Sequence, residues 1–178
     1  RAAAQETVSA AIHVFDGGQL SLGTGFMVET AAEMAAKGSK LDEIMEALNS
    51  LRKRTHVFAA LDTLEFLKRS GRMNRWVSNL GSLLQIKPIL TMHDGLPGNE
   101  KVRTRDKALR RVVELLESVG KIERIALVHT HAPERIAELK KMAEHLLPKG
   151  DMMIEDITPV IGAHIGPGTA GFAVIAAE

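Results

Sequence analysis

The chain has 178 residues, enough for one large domain or one and a half and long enough to bury most of its apolar surface. Its 23 basic and 22 acidic residues nearly cancel, which excludes an overall field drawing it to nucleic acid or an anionic membrane; any electrostatic recognition is local. No cysteine occurs, which excludes disulfides, thiolate metal sites and cysteine nucleophiles and makes the cytoplasm the default expectation. No apolar run approaches the roughly 20 residues of a membrane span, so stable membrane insertion is not expected.

Residues 1–8 have helix-forming composition from Arg1 onward with no cap ahead of them, and read as the middle of a helix. On that ground the chain is expected to be a fragment, with residues 1–38 the terminal part of a truncated N-terminal α/β domain and residues 39–178 a C-terminal α/β domain. Residues 11–15 read as a short buried strand, ended by the turn signal Asp16-Gly17-Gly18. Ser21 is placed to cap a helix over 22–37 that Gly38 stops, and Ser39 to cap a second over 40–54, whose Leu41, Ile44, Met45, Leu48 and Leu51 follow the helical period. A strand is expected at 56–61, brief helices at 63–69 and 74–80, and a strand at 87–92.

Asp94-Gly95 and Pro97-Gly98 mark a hairpin-like turn with a return strand at 99–103. A helix over 106–119 stopping at Gly120, an apolar strand at 122–129 and a helix opened by Pro133 and running to about 147 follow. Strands at 152–157 and 171–176 flank the run Pro159 to Gly168, read as a rigid glycine-rich loop around His164. Helices alternating with strands, and a turn too short for a parallel crossover, predict an α/β layered domain with a mixed, partly antiparallel sheet packed by helices.

Four constellations carry possible chemistry. An imidazole on a tight glycine loop suits an anionic head group, which singles out His164 and the neighbouring Gly166. In Leu67-Lys68-Arg69-Ser70-Gly71-Arg72-Met73, helix capping explains Lys68 and Arg69, whereas Arg72 lies beyond the glycine, where a guanidinium can fork to an anion or to a carboxylate. Lys101, Arg103 and Arg105 share one face if the return strand continues, a cationic row that is either solvated or an anion or partner site. The apolar run 81–90, with Leu84 and Ile86, is core or the wall of an apolar tunnel. Walker-A, G-x-S-x-G, H-E-x-x-H and Rossmann signatures are missing, and His129-Thr130-His131 lacks the further ligands a metal needs. With one Trp, five Phe and no Tyr, stacking platforms for single-stranded nucleic acid are scarce, and no nucleic-acid partner is expected.

The runs Thr63 to Met73, Gly81 to Leu90, Lys101-Val102-Arg103-Thr104 and Gly162-Ala163-His164-Ile165-Gly166-Pro167-Gly168 resemble, in order and spacing, the DegV family of bacterial fatty-acid-binding proteins. The likeness covers essentially this whole chain and the later two thirds of a family member. It implies two α/β domains enclosing a long-chain fatty acid, with this chain supplying the second domain and the end of the first. The protein would be a carrier rather than an enzyme, holding the acid as ligand without a metal or other cofactor and presenting it to a fatty acid kinase that forms the acyl phosphate. The resemblance implies that His164 sits beside the carboxylate, with Arg72 and Arg103 on the same side. The family's early hydroxyl motifs have no counterpart here, and Met73 and Gln85 replace the more usual Ile and Asn. The residues alone also allow an enzyme acting on a small anion with His164 as acid or base, or a regulatory module using the cationic row.

Overall fold

The two-residue turn at Asp94-Gly95 forms as expected and organises one side of the sheet. Asp94 has φ 44° and Gly95 φ 78°, the pair of positive angles that a twist-matched type I′ turn requires. The computed structural model describes residues 11–73 and 86–178. The helix expected at 74–80 and the candidate Leu84 lie outside the described residues.

The strands are β1 (Thr55–Ala60), β2 (Lys87–His93), β3 (Leu96–Val102), β4 (Ile122–His129), β5 (Ile154–Asp156) and β6 (Ala170–Ala176). They form one sheet in the order β3-β2-β1-β6-β4-β5, antiparallel throughout except for the parallel pair β4 and β5. The expected α/β architecture with a mixed sheet is therefore present. Pro97 and Gly98 belong to β3, opposite Met92 and Thr91, rather than to the turn. An edge strand tolerates the proline because one row of its backbone donors has no ladder partner.

The helices among the described residues are α1 (Leu22–Ala36), α2 (Leu41–Arg54), α3 (Glu65–Arg69), α4 (Arg105–Ser118), α5 (Pro133–Met142) and α6 (Pro159–Ile165). Successive strand residues point to opposite faces, and the two faces are covered differently. On one, Phe58, Ile89, Leu127 and Phe172 meet Leu109, Val112 and Leu116 of α4 and Ile136 and Leu139 of α5 in a single large cluster. The other carries two clusters. Val57, Ala126, Ala173 and Ile175 pack under Phe26 and Met27 of α1 and Leu48 and Leu51 of α2. Ala59, Leu61 and Leu90 pack with Leu67 of α3 and Ile165 of α6. The turn at Lys37–Gly38, where the sequence places a domain boundary, thus joins two helices that both sit on this sheet.

Several local expectations are corrected. Residues 11–15 form no strand and are mostly exposed; no described strand lies beside them to take up their backbone donors and acceptors. Ser21 has φ 50° and makes no capping hydrogen bond, since that backbone conformation differs from the extended one that aims a cap side chain at the first turn. Lys40, not Ser39, precedes α2, and its N–H donates to Glu43 Oε2 at 2.7 Å. β3 ends at Val102, Thr104 caps α4 by accepting from the Lys107 N–H at 3.3 Å, and Arg105 is already helical. The cationic row on one strand face therefore does not exist. The expected loop around His164 is in its first part the helix α6, with Pro159 in the opening turn, where its missing N–H costs nothing.

Candidate functional site

Between the two clusters on the α1/α2 face the helices leave a gap, a cavity of about 160 Å³. Its floor is the sheet, through Val57, Ala59, Leu90 and Val128. Leu20 and Ser21 close it on the α1 side, and Leu61, Leu67, Ile157, Ile161 and Ile165 on the side of α3 and α6. Nearly every lining side chain is apolar; the two ionisable ones are His164 and Arg72.

α6 presents His164 because Ile161, His164 and Ile165 stand three and four positions apart, on one helical stripe. Burial of the isoleucines turns that stripe inward and carries the imidazole with them. His164 Nδ1 is buried and has no hydrogen-bond partner. A buried polar atom normally finds one, so an unpartnered ring nitrogen in an apolar cavity marks a place for a ligand atom. Arg72 comes from the chain after α3, on the same side of the cavity. Gly71, with φ 69°, ends α3; the Arg72 N–H donates to the Leu67 carbonyl at 3.0 Å and its Nη1 to the Ser70 carbonyl at 2.7 Å. This exposed guanidinium also lines the cavity.

The structure thus brings His164 and Arg72 to one cavity and puts the other candidates elsewhere. Arg103 is exposed in the bend between β3 and α4 and does not line this cavity. Ile86 lines a separate groove with Asp62, Thr63, Lys68 and Lys87. Gly166 lies on the outer side of α6, against Phe66. Its φ 77° and ψ 170° belong to a region essentially restricted to glycine, so its place in the chain is conformational. Among the described residues no group of three or more His, Asp or Glu is arranged to hold a metal. His129 and His131 meet the single carboxylate Asp156, at 3.7 and 3.1 Å.

Sequence reasoning missed the ionic centre beside this cavity. Asp62, next to the cavity residue Leu61, has Lys87 Nζ at 2.8 Å, Arg105 Nη2 at 3.4 Å and Arg135 Nη1 at 3.9 Å from its Oδ1. Burial opposes the Asp62 charge, but the Lys87 hydrogen bond and the three cations outweigh it and hold the carboxyl below its usual range. Arg135 is 2 % exposed, and none of its guanidinium nitrogens has a hydrogen bond. Burial, aided by repulsion from Arg105, pushes its pKa down. These residues are scattered over four elements, so no local pattern announces them. The lining isoleucines did leave a signal, the four-residue spacing of Ile157, Ile161 and Ile165.

Comparison with known proteins bears on the whole arrangement. A DegV domain-containing protein of Clostridium acetobutylicum is 32% identical over 167 residues, covering 91% of this chain and 59% of the relative. The crystal structure of DegV from Bacillus subtilis, described as a fatty acid binding protein, superposes with a TM-score of 0.83 at 30% identity, over 99% of this chain and 64% of that one. A fatty acid binding DegV family protein from Streptococcus agalactiae gives 0.83 at 27% identity, again over 99% and 64%. The chain therefore spans about three fifths of the length of such relatives. The family model of the DegV family of uncharacterised proteins matches residues 1–177, and with the shared fold and the Clostridium relative it establishes that this chain belongs to the DegV family.

Proposed function

We propose that this chain is the greater part of a long-chain fatty-acid-binding carrier, with the acyl chain in the cavity between the two helical clusters and the carboxylate beside His164 and Arg72. The observation that carries the reading is the buried, unpartnered Nδ1 of His164 in an otherwise apolar cavity with a guanidinium at its edge. An imidazole N–H supplies the donor that a carboxylate leaving water needs, and the arginine supplies the countercharge. The fatty acid binding described for the Bacillus subtilis and Streptococcus agalactiae proteins supports it.

The cavity, about 160 Å³, is smaller than the roughly 300–1,000 Å³ of ordinary small-molecule pockets, so a long chain enters by parting the helices that border it. No described side chain hydrogen-bonds the buried Nδ1 of His164 to orient it as an acid or base, which favours a residue that holds a head group. The proposal extends to presentation of the acid to a partner kinase in the cytoplasm, with phosphoryl transfer carried out by the partner. Arg103 enters the proposal through the family resemblance, as a further basic group, and Gly166, Leu84 and Ile86 through the sequence reading of the histidine loop and the apolar run. No helix among the described residues is long and apolar enough to cross a membrane.

Native mass spectrometry of the full-length protein from cells should show a co-purifying acyl chain. After delipidation, His164→Ala should weaken stearic acid binding about 10- to 100-fold, the worth of one hydrogen bond to a charged group. Repeated absence of lipid, or equal retention by the variant and the parent, overturns the reading.

A further inference from the structure

The end of α6 is held by two buried hydroxyls, of which that of Thr130 makes the shorter bond. Thr130 follows β4 directly and is 5 % exposed; Thr169 precedes β6 and is fully buried. Thr130 Oγ1 donates to the Gly166 carbonyl at 2.6 Å and accepts from the Thr169 N–H at 3.0 Å. Its backbone completes the tie, the N–H donating to the Thr169 carbonyl at 3.0 Å and the carbonyl accepting from the Gly168 N–H at 2.8 Å. Thr169 Oγ1 adds a second donor to the Gly166 carbonyl at 3.2 Å.

This arrangement solves a local problem. The last carbonyls of a helix lack intrahelical donors, and α6, with seven residues, is too short to be stable alone. Ile165, Gly166 and Thr169 are buried at its exit, and the side-chain donors to the Gly166 carbonyl come from the ends of β4 and β6. His164 stands two residues before Gly166, and the same four-residue stretch that Thr130 gathers, 166–169, follows the helix. The imidazole has no hydrogen bond at Nδ1 to orient it, so its place in the cavity depends on where the last turn of α6 is pinned.

We propose that Thr130 is a positioning residue for His164, fixing the imidazole toward the ligand head group through the hydroxyl bridge between Gly166 and Thr169. The proposal rests on the head-group reading of the cavity. It bears most on acids: the hydroxyl sets the donor that meets a carboxylate, while Ile161 and Ile165 of the same helix meet the apolar chain of an acid and an alcohol alike. Thr130→Val keeps the shape and removes the bridge, leaving the Thr169 N–H without this acceptor and the Gly166 carbonyl with the Thr169 hydroxyl as its remaining side-chain donor; Thr130→Ser keeps the bridge.

The test uses the delipidated full-length protein, with stearic acid and octadecanol as paired probes and an NMR titration of the His164 imidazole. Thr130→Val should weaken stearic acid by about 10-fold with octadecanol changed less than about twofold, and should alter the His164 titration; Thr130→Ser should restore both. Equal weakening of both probes assigns Thr130 a purely structural role and overturns the proposal. So does an unmoved His164 titration in a folded Thr130→Val protein. If the parent binds neither probe, the fatty-acid reading fails by itself, and the His164 titration still decides whether Thr130 positions the ring.

Discussion

Replacing Gly166 by alanine tests how the exit from α6 is built. A Cβ there would overlap the Phe66 ring of α3, standing 2.8 Å from Cγ and Cε2 and nearer still to Cδ2. The backbone at φ 77° and ψ 170° adds a second cost, because an L side chain is strained in that region by about 1–3 kcal/mol. Forcing a methyl group into packed surroundings contributes about 1–3 kcal/mol more. The sum, roughly 2–6 kcal/mol, corresponds to a fall in Tm of about 5–20 °C for a domain of this size. Urea and thermal unfolding of Gly166→Ala, alone and with Phe66→Ala, separate the two terms. Removing the ring should abolish the overlap and leave only the backbone strain. A loss below about 0.5 kcal/mol in the single variant, the range of ordinary surface substitutions, would refute the geometry; so would a cost unchanged by removing Phe66.

The histidines His56 and His93 face each other across β1 and β2, stacked with ring centroids 4.0 Å apart, and burial together with the neighbouring His93 lowers the His56 pKa to about 4. Its unfolded value is higher, so the unfolded chain takes up the proton first and stability falls as pH drops from about 6.5 to 4; the full linkage, about 3 kcal/mol, shrinks to about 1–2 kcal/mol after solvent screening. Urea midpoints at pH 7, 5.5 and 4.5 should show this slope, and His56→Gln should flatten it. Arg135→Met should leave stability unchanged or raise it by up to about 2 kcal/mol, because a buried cation without hydrogen bonds is exchanged for an apolar chain of similar length while Asp62 keeps Lys87 and Arg105. Asp62→Ala, which strands those cations, should cost about 2–4 kcal/mol by chemical denaturation, and less in the Arg135→Met background; a destabilised Arg135→Met protein would contradict both expectations.

What the sequence revealed follows the range of the forces involved. The Asp94-Gly95 hairpin was legible because a type I′ turn depends on two adjacent residues. β4 was legible as a nearly continuous apolar run and α4 as a helical period ending at Gly120. α6 was misread as loop because Pro159 and Gly162 lie within it and Gly166 and Gly168 follow it directly. Burial of Ile161 and Ile165 in the cavity wall offsets the roughly 1 kcal/mol that an interior glycine costs a helix. Residues 11–15 have strand composition, but a strand needs a neighbour and composition does not supply one. His164 and Arg72 could each be picked out as isolated anion-seeking groups, and the structure brings both to one cavity. The cavity is a gap between two clusters and the Asp62 centre a meeting of distant segments, so neither has a local signature.

The sheet divides labour between its faces. One is sealed by α4 and α5 in a continuous core, while the other carries two islands of helix with a seam between them. The seam's far bank consists of α3, with five residues, and α6, with seven, elements held by a few contacts and hydroxyl ties rather than by length. The seam is thus bordered on one side by short elements, the kind from which local opening is drawn, whereas the sealed face holds the larger continuous core.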